Sequence, residues 1–217
     1  MRLKPSDVLC LGAVAAVGAL AWYLYPAIPE RMPTHWSASG EVDGYMRKPF
    51  AVLVMIALPL GGYAMHAVFK VLPRVSPAGF EMDRFQRATD IITLAVTLML
   101  AGVAAVVLLS ASGSDVPVVT VITLLVGGLF VVVGNYLGKV RRNFFVGIRT
   151  PWTLASDEVW ARTHRVGGWL FVLAGIAIVA SAGGSRQLLP VVLLASVGTA
   201  ALISVAYSYV VYRKLHR

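Results

Sequence analysis

Residues 91–112 read IITLAVTLMLAGVAAVVLLSAS. No charge interrupts them. A helix rises about 1.5 Å per residue, so the run matches the roughly 30 Å hydrocarbon core of a bilayer. It is continuously apolar rather than alternating, which argues for a helix over a barrel strand. Inside lipid only these two structures satisfy their own backbone. Five more runs share this character: Val8–Tyr25, Phe50–Val71, Pro117–Tyr136, Val166–Gly184 and Leu188–Tyr212. Their Val, Ile and Gly are poor helix formers in water, but lipid overrides that preference. The fold class expected is an all-α polytopic membrane protein with six transmembrane helices.

Composition points the same way. The 217 residues are 58% hydrophobic and 13% charged, against about 45–50% and about 25% in soluble domains. The mean hydropathy is +0.77. This composition excludes a disordered chain and argues strongly against a soluble globular domain. One cysteine, Cys10, leaves no internal disulfide framework and no Cys-rich metal site. A net charge of +9 would suggest nucleic acid in a soluble protein. In an apolar chain it indicates Lys and Arg gathered on one membrane face, so no direct nucleic-acid binding is expected.

The placement of those charges sets the expected orientation. With the N-terminus inside, fifteen of the nineteen Lys and Arg fall in cytoplasmic segments; Arg31, Arg47, Lys48 and Arg186 fall outside. The positive-inside rule therefore predicts both termini in the cytoplasm. Arg2 and Lys4 give the first run a basic start. It is too long for a signal-peptide core and has no clear small-x-small cleavage site immediately before Pro26 or Ile28, so it is read as a retained span. Trp22, Tyr23 and Tyr25 would anchor its outer end, and Tyr207, Tyr209 and Tyr212 the inner end of the last span.

Within the spans no Asp, Glu, Lys or Arg lies away from the ends. Transporters coupled to ions usually carry such groups, which weakens that reading. His66 is expected to pack between helices or touch headgroups. Thr93, Thr97, Thr120, Thr123, Thr199 and Ser204 should bond their own helix or a neighbour. Gly12, Gly18, Gly61, Gly62, Gly127, Gly128, Gly168 and Gly175 should permit close helix approach. The internal segment Pro73–Asp90, with Phe80, Met82 and Phe85, reads as a short interfacial helix.

Two longer polar segments remain. In the external one, residues 26–49, three prolines and the turn makers Gly40 and Asp43-Gly44 predict a small structured cap, with Thr34–Ser37 extended. Glu30, His35, Trp36, Asp43 and Tyr45 make it a candidate ligand surface. A structural reading has His35 and Asp43 bond the loop backbone. Glu30, His35, Glu41 and Asp43 are a weak set for a metal, and none is expected.

The cytoplasmic segment, residues 137–165, is the chemically densest. Thr150-Pro151 should stop any helix running on from the fourth span. Ser156, followed by Asp157 and Glu158, should cap a helix over Asp157–Arg165 that feeds the fifth span. Trp160 and His164 then stack one turn apart, and Arg162 and Arg165 face the membrane surface or a partner. Asn135, Asn143, Thr150, Thr153 and Thr163 are expected to bond one another or the loop backbone, ordering the loop. The candidate regulator- or anion-binding residues are Asn135, Lys139, Asn143, Arg149, Thr150, Trp152, Trp160, His164 and Arg165. No catalytic triad, phosphate loop or HExxH motif is recognisable, and no carboxylate pair lies within the bilayer spans. An enzyme is not expected, and no cofactor is implied.

Two stretches carry a family likeness. Pro33-Thr34-His35-Trp36, Gly40 and Asp43-Gly44-Tyr45 resemble the N-terminal domain of unknown function that precedes many SdpI proteins. Gly134-Asn135-Tyr136, Lys139, Asn143, Gly147-Ile148-Arg149-Thr150-Pro151-Trp152-Thr153-Leu154, Ser156, Val159-Trp160, Thr163-His164-Arg165 and Gly168 resemble the signature of the SdpI/YfhL family. Leu137-Gly138 stands where that signature has Met-Pro, which should loosen the start of the loop. The division expected is residues 1–112, with spans one to three, and residues 113–217, with spans four to six. The resemblance implies a six-helix protein of the bacterial cytoplasmic (inner) membrane. It also implies immunity against a secreted membrane-active peptide toxin, with signalling through a sequestered DNA-binding autorepressor. A membrane sensor without immunity, or a lipid or small-molecule transporter or membrane enzyme, are the alternatives.

Overall fold

The computed structural model describes residues 4–37, 39–75 and 86–216. The interfacial helix expected around Phe80, Met82 and Phe85 lies outside the described residues. Helix α1 spans Pro5–Leu24. Pro5 fits its first turn because that position needs no donor. The Asp7 carboxylate accepts the Lys4 backbone N–H at 2.8 Å. After a 3-10 turn at Tyr25–Ala27, β1 (Arg31–Trp36) and β2 (Val42–Arg47) form an antiparallel hairpin. Gly40, at φ 87°, supplies a left-handed turn residue. Met32 and Ile28 are buried and pin the hairpin base onto α1 and the helix that follows.

That helix, α2 (Lys48–Val75), starts directly from β2, and α3 (Gln86–Ala111) returns against it. A tight turn leads to α4 (Val118–Leu137). A short α5 (Pro151–Ala155) precedes α6 (Asp157–Ser181), and α7 (Leu189–Leu215) completes the described chain. Among the described residues six helices (α1, α2, α3, α4, α6 and α7) are long and apolar enough to cross a membrane, as the hydropathy predicts. The outside of the bundle is apolar. Trp22 is 86% exposed, and Leu194 and Leu202 are each 73% exposed. Such a surface suits lipid as solvent and would aggregate in water.

Helices α1, α2 and α3 pack together, as do α4, α6 and α7, and α3 packs on α4 between the two groups. One core lies at the hairpin end, around Ala21, Met32, Met55, Ala104 and Leu108. A second, at the opposite end, joins Ala88 of α3 to Val140 and to Trp160 of α6. We call this second end the loop end.

The α4–α6 crossing is backbone on backbone. A Cβ on Gly134 would lie 2.6 Å from the Gly168 carbonyl oxygen, and one on Gly175 would lie 2.6 Å from that of Gly127. Seven residues separate Gly127 from Gly134, and Gly168 from Gly175, so both contacts fall on one seam. Gly62 is equally tight against Thr97. Gly12, Gly18, Gly61 and Gly128, also expected at helix contacts, have nothing within 4 Å of such a Cβ. They sit on unpacked faces, because composition alone does not say which side of a helix meets a neighbour. Thr93, Thr97, Thr123 and Ser204 bond carbonyls of their own helices, as expected.

Adding side chains at these glycines gives a direct test. Gly168→Val should lower stability by about 1–3 kcal/mol through overpacking, while Gly128→Val should be near neutral. Thermal unfolding of the detergent-solubilised protein measures the difference.

Candidate functional site

The loop between α4 and α6 folds around buried polar side chains. Helix α4 ends at Leu137, well before Thr150-Pro151, so that pair does not stop it. Thr150-Pro151 instead opens α5. Thr150 Oγ1 accepts the Thr153 N–H at 3.1 Å, and Thr153 Oγ1 accepts the Thr150 N–H at 2.8 Å. This reciprocal cap satisfies donors that a helix start leaves open. Gly138, where the signature has Pro, keeps helical angles and lies close against Arg165. Ser156 caps α6 by accepting the Val159 N–H, and α6 runs on unbroken from Asp157, as the sequence predicts.

Asn143 is fully buried. Its Oδ1 accepts the N–H groups of Phe145 and Val146, each at 2.7 Å, and its Nδ2 donates to the carbonyls of Arg141 and Val146. The side chain thereby acts as a substitute for a strand or helix neighbour. His164 is also fully buried. The Ile148 N–H donates to its Nε2 at 2.9 Å, so that nitrogen is an acceptor and the ring is neutral. Its Nδ1–H donates to the Trp160 carbonyl at 2.9 Å. Trp160 stacks on the imidazole at 3.9 Å and donates from Nε1 to the Val140 carbonyl. Gly147, at φ 121°, passes so close to His164 Nε2 that no side chain fits there. Thr150 Oγ1 lies 3.1 Å from Ser208 Oγ, which ties α7 to the same hub.

The nine candidate residues of this segment therefore divide. Asn143, Thr150, Trp160 and His164 are buried and bonded within the hub. Trp152 packs on the Tyr209 ring. Asn135, Lys139, Arg149 and Arg165 are exposed. Asn135, Lys139 and Arg165 meet at a groove of about 200 Å³ with Trp169; Arg149 lies apart and donates to the Phe144 carbonyl. Arg162 pairs with Glu158 on its own helix at 2.6 Å. Thr163 is buried, but its hydroxyl meets no partner among the described residues, contrary to expectation.

At the hairpin end His35 Nδ1 lies 2.5 Å from Asp43 Oδ1, both side chains exposed. They bond each other rather than the loop backbone, because the strand register breaks at His35 and sets it over Gly44. Trp36 is half-buried against the hairpin-end core. Glu30 and Tyr45 are exposed; Arg31 stands over the Tyr45 ring at 6.0 Å. Behind the His35–Asp43 pair lies a cavity of about 710 Å³, walled by α2, α3, α4, α6 and α7. Among the described residues no three His, Cys, Asp or Glu side chains gather as metal ligands would.

A third cluster escaped sequence reasoning. Asp7, His66 and Lys70 are buried together near the loop end. Lys70 Nζ donates to Asp7 Oδ1, and His66 Nε2 stands 3.3 Å from the same oxygen. His66 Nδ1 meets Thr93 Oγ1 at 2.6 Å, and Lys4 pairs with Asp90 at 2.8 Å. These contacts lock α1, α2 and α3 together. The signal was present: His66 and Lys70 lie one turn apart, on the same helix face as each other.

Two comparisons bear on identity. Residues 139–208 match the SdpI/YfhL protein family. Residues 11–59 match a domain of unknown function (DUF1648). The chain is similar to the SdpI/YfhL family over residues 139–208. It is also 25% identical over 209 residues to "Immunity protein SdpI" of Bacillus subtilis (strain 168), covering 96% of this chain and 94% of that protein. No solved structure matches the chain. The SdpI/YfhL match runs from Lys139 at the loop start to Ser208, the α7 residue bonded to Thr150, so it contains the whole hub. The other match contains the hairpin. The chain is a multi-span membrane protein similar along most of its length to an immunity protein.

Two outcomes follow from the buried groups. Asp7→Ala should cost about 3–5 kcal/mol, because it strands the Lys70 charge in the core; adding Lys70→Met should recover much of that, as read by a double-mutant unfolding cycle. His164→Phe leaves the Ile148 donor without an acceptor and should cost about 1–3 kcal/mol. Limited trypsin digestion should then cut the 138–150 loop faster, while Lys139→Ala leaves the other loop cuts at their native rate.

Proposed function

We propose that this protein confers immunity on its cell against a secreted, membrane-active peptide, from the bacterial cytoplasmic membrane, with both termini inside. The observation that carries this reading is the likeness to Immunity protein SdpI along 96% of the chain, spanning both modules, hairpin and loop included. The distribution of Lys and Arg along the sequence supports the orientation, with fifteen of nineteen in the segments read as cytoplasmic. The peptide would then meet the hairpin end first. Glu30, His35, Trp36, Asp43 and Tyr45 are the residues proposed to contact it, since they combine aromatic area with mixed charge.

A second reading concerns the other end. The exposed Asn135, Lys139, Arg149 and Arg165 sit on a loop whose own backbone is held by buried Asn143 and His164. A rigid basic surface of this kind suits a cytoplasmic protein such as a DNA-binding repressor, or anionic lipid headgroups. No catalytic role and no cofactor are proposed.

Expression in a peptide-sensitive bacterium tests immunity. Survival under challenge with secreted membrane-active peptides should rise, and unchanged killing by every such peptide would contradict the reading. The joint variant Arg149→Ala/Arg165→Ala should keep protection while losing any captured DNA-binding protein in affinity purification from that host.

A further inference from the structure

We propose that the cavity behind the hairpin binds the apolar part of a cationic amphipathic peptide, whose positive end is held at the Asp43 rim. This rests on the immunity reading and adds where and how the peptide is held.

The first ground is the hollow itself. The recess is half open, so a ligand can reach it from outside the bundle. It holds about 710 Å³, within the roughly 300–1,000 Å³ of ordinary ligand sites. It opens between the two helix groups, where α7 stands across from α2 and α3. Met55, Val107, Ile122 and Leu193 represent its four main walls. Away from the hairpin its lining is mostly aliphatic, with the Thr123 hydroxyl already bonded to the Val119 carbonyl, so it gains dispersion and area burial from aliphatic side chains.

The second ground is the charge at the mouth. Asp43 and its partner His35 edge the cavity, and both reach solvent. A second recess, of about 370 Å³, shares Trp36 with it and adds Asp115. Neither recess has a lysine or arginine among its described lining residues. The hairpin's own arginines, Arg31 and Arg47, pair in register at the far end of the strands. At these two recesses Asp43 and Asp115 offer a cation a partner, and no lining lysine or arginine among the described residues offers one to an anion. That sign favours a peptide amine or lysine over the phosphate of a membrane lipid.

The test uses the full chain in phosphatidylcholine nanodiscs. The probe is a synthetic leucine-rich peptide bearing photoactivatable leucine and lysines at one end; its twin bears glutamates there. The lysine peptide should crosslink to cavity residues such as Met55, Ile122 and Leu193. Cavity-filling Ile122→Trp or Leu193→Trp should each cut that crosslinking by about tenfold. Asp43→Asn should bring the lysine peptide down toward its glutamate twin. Crosslinks confined to outward-facing residues such as Leu194 and Leu202, equal labelling by both peptides, or full labelling of both tryptophan variants would overturn the proposal. In cells the two claims separate. Protection by the native chain that persists undiminished in both tryptophan variants defeats the cavity and leaves immunity standing. Peptide captured in the cavity by a chain that protects no cell defeats immunity and leaves the cavity standing.

Discussion

A neutral imidazole holds the C-terminal half together. His164 accepts from a backbone N–H sixteen residues upstream and donates to its own helix, with Trp160 stacked on its face. The loop it holds is irregular, so it has no ladder of its own to satisfy buried donors. Asn143 and the Thr150–Thr153 pair supply the remaining partners. The glycine seam between α4 and α6 is part of the same constraint. It brings the helix backbones close enough for Gly138 to back onto Arg165 and for Gly147 to pass the imidazole. The SdpI/YfhL signature therefore consists mostly of residues that build a surface. The exposed Lys139 and Arg165 are what that surface displays.

The N-terminal half solves a similar problem with charge. Asp7, His66 and Lys70 bury an ionic cluster near the loop end, and Lys4 bridges to Asp90 beside it. Buried pairs of this kind are poor sources of net stability, but breaking one is costly. They fix which helix faces meet, a specification that interchangeable aliphatic side chains do not provide. At the other end the hairpin is held by Met32 and Ile28 and by the Lys48 N–H bonded to the Glu30 carbonyl. His35 and Asp43, further along the strands, line the cavity.

Much of this was legible in the sequence. The six spans were, because uninterrupted apolar runs of bilayer length admit one structure. So was the start of α6, where Ser156-Asp157-Glu158 states a helix N-terminus, and so was the stacking of Trp160 on His164, which follows from their spacing. Partners distant in sequence were not legible. Nothing at Ile148 announces that its N–H seeks an imidazole, and Asp7 at a helix start reads as an ordinary interfacial charge. The His35–Asp43 pair was hidden by a register break that no local pattern signals. Gly128 and Gly127 are neighbours of identical composition, and only packing distinguishes the one on the seam.

The account stands on the hairpin and the loop hub facing opposite sides of a membrane. Single cysteines placed at position 35 and at position 165, in a Cys10→Ser background, can be challenged in intact cells with a membrane-impermeant thiol reagent. Labelling at 35 alone, with 165 reacting only after the membrane is breached, is the predicted result. Equal reaction of both sites in intact cells, or reaction at 165 alone, would contradict it.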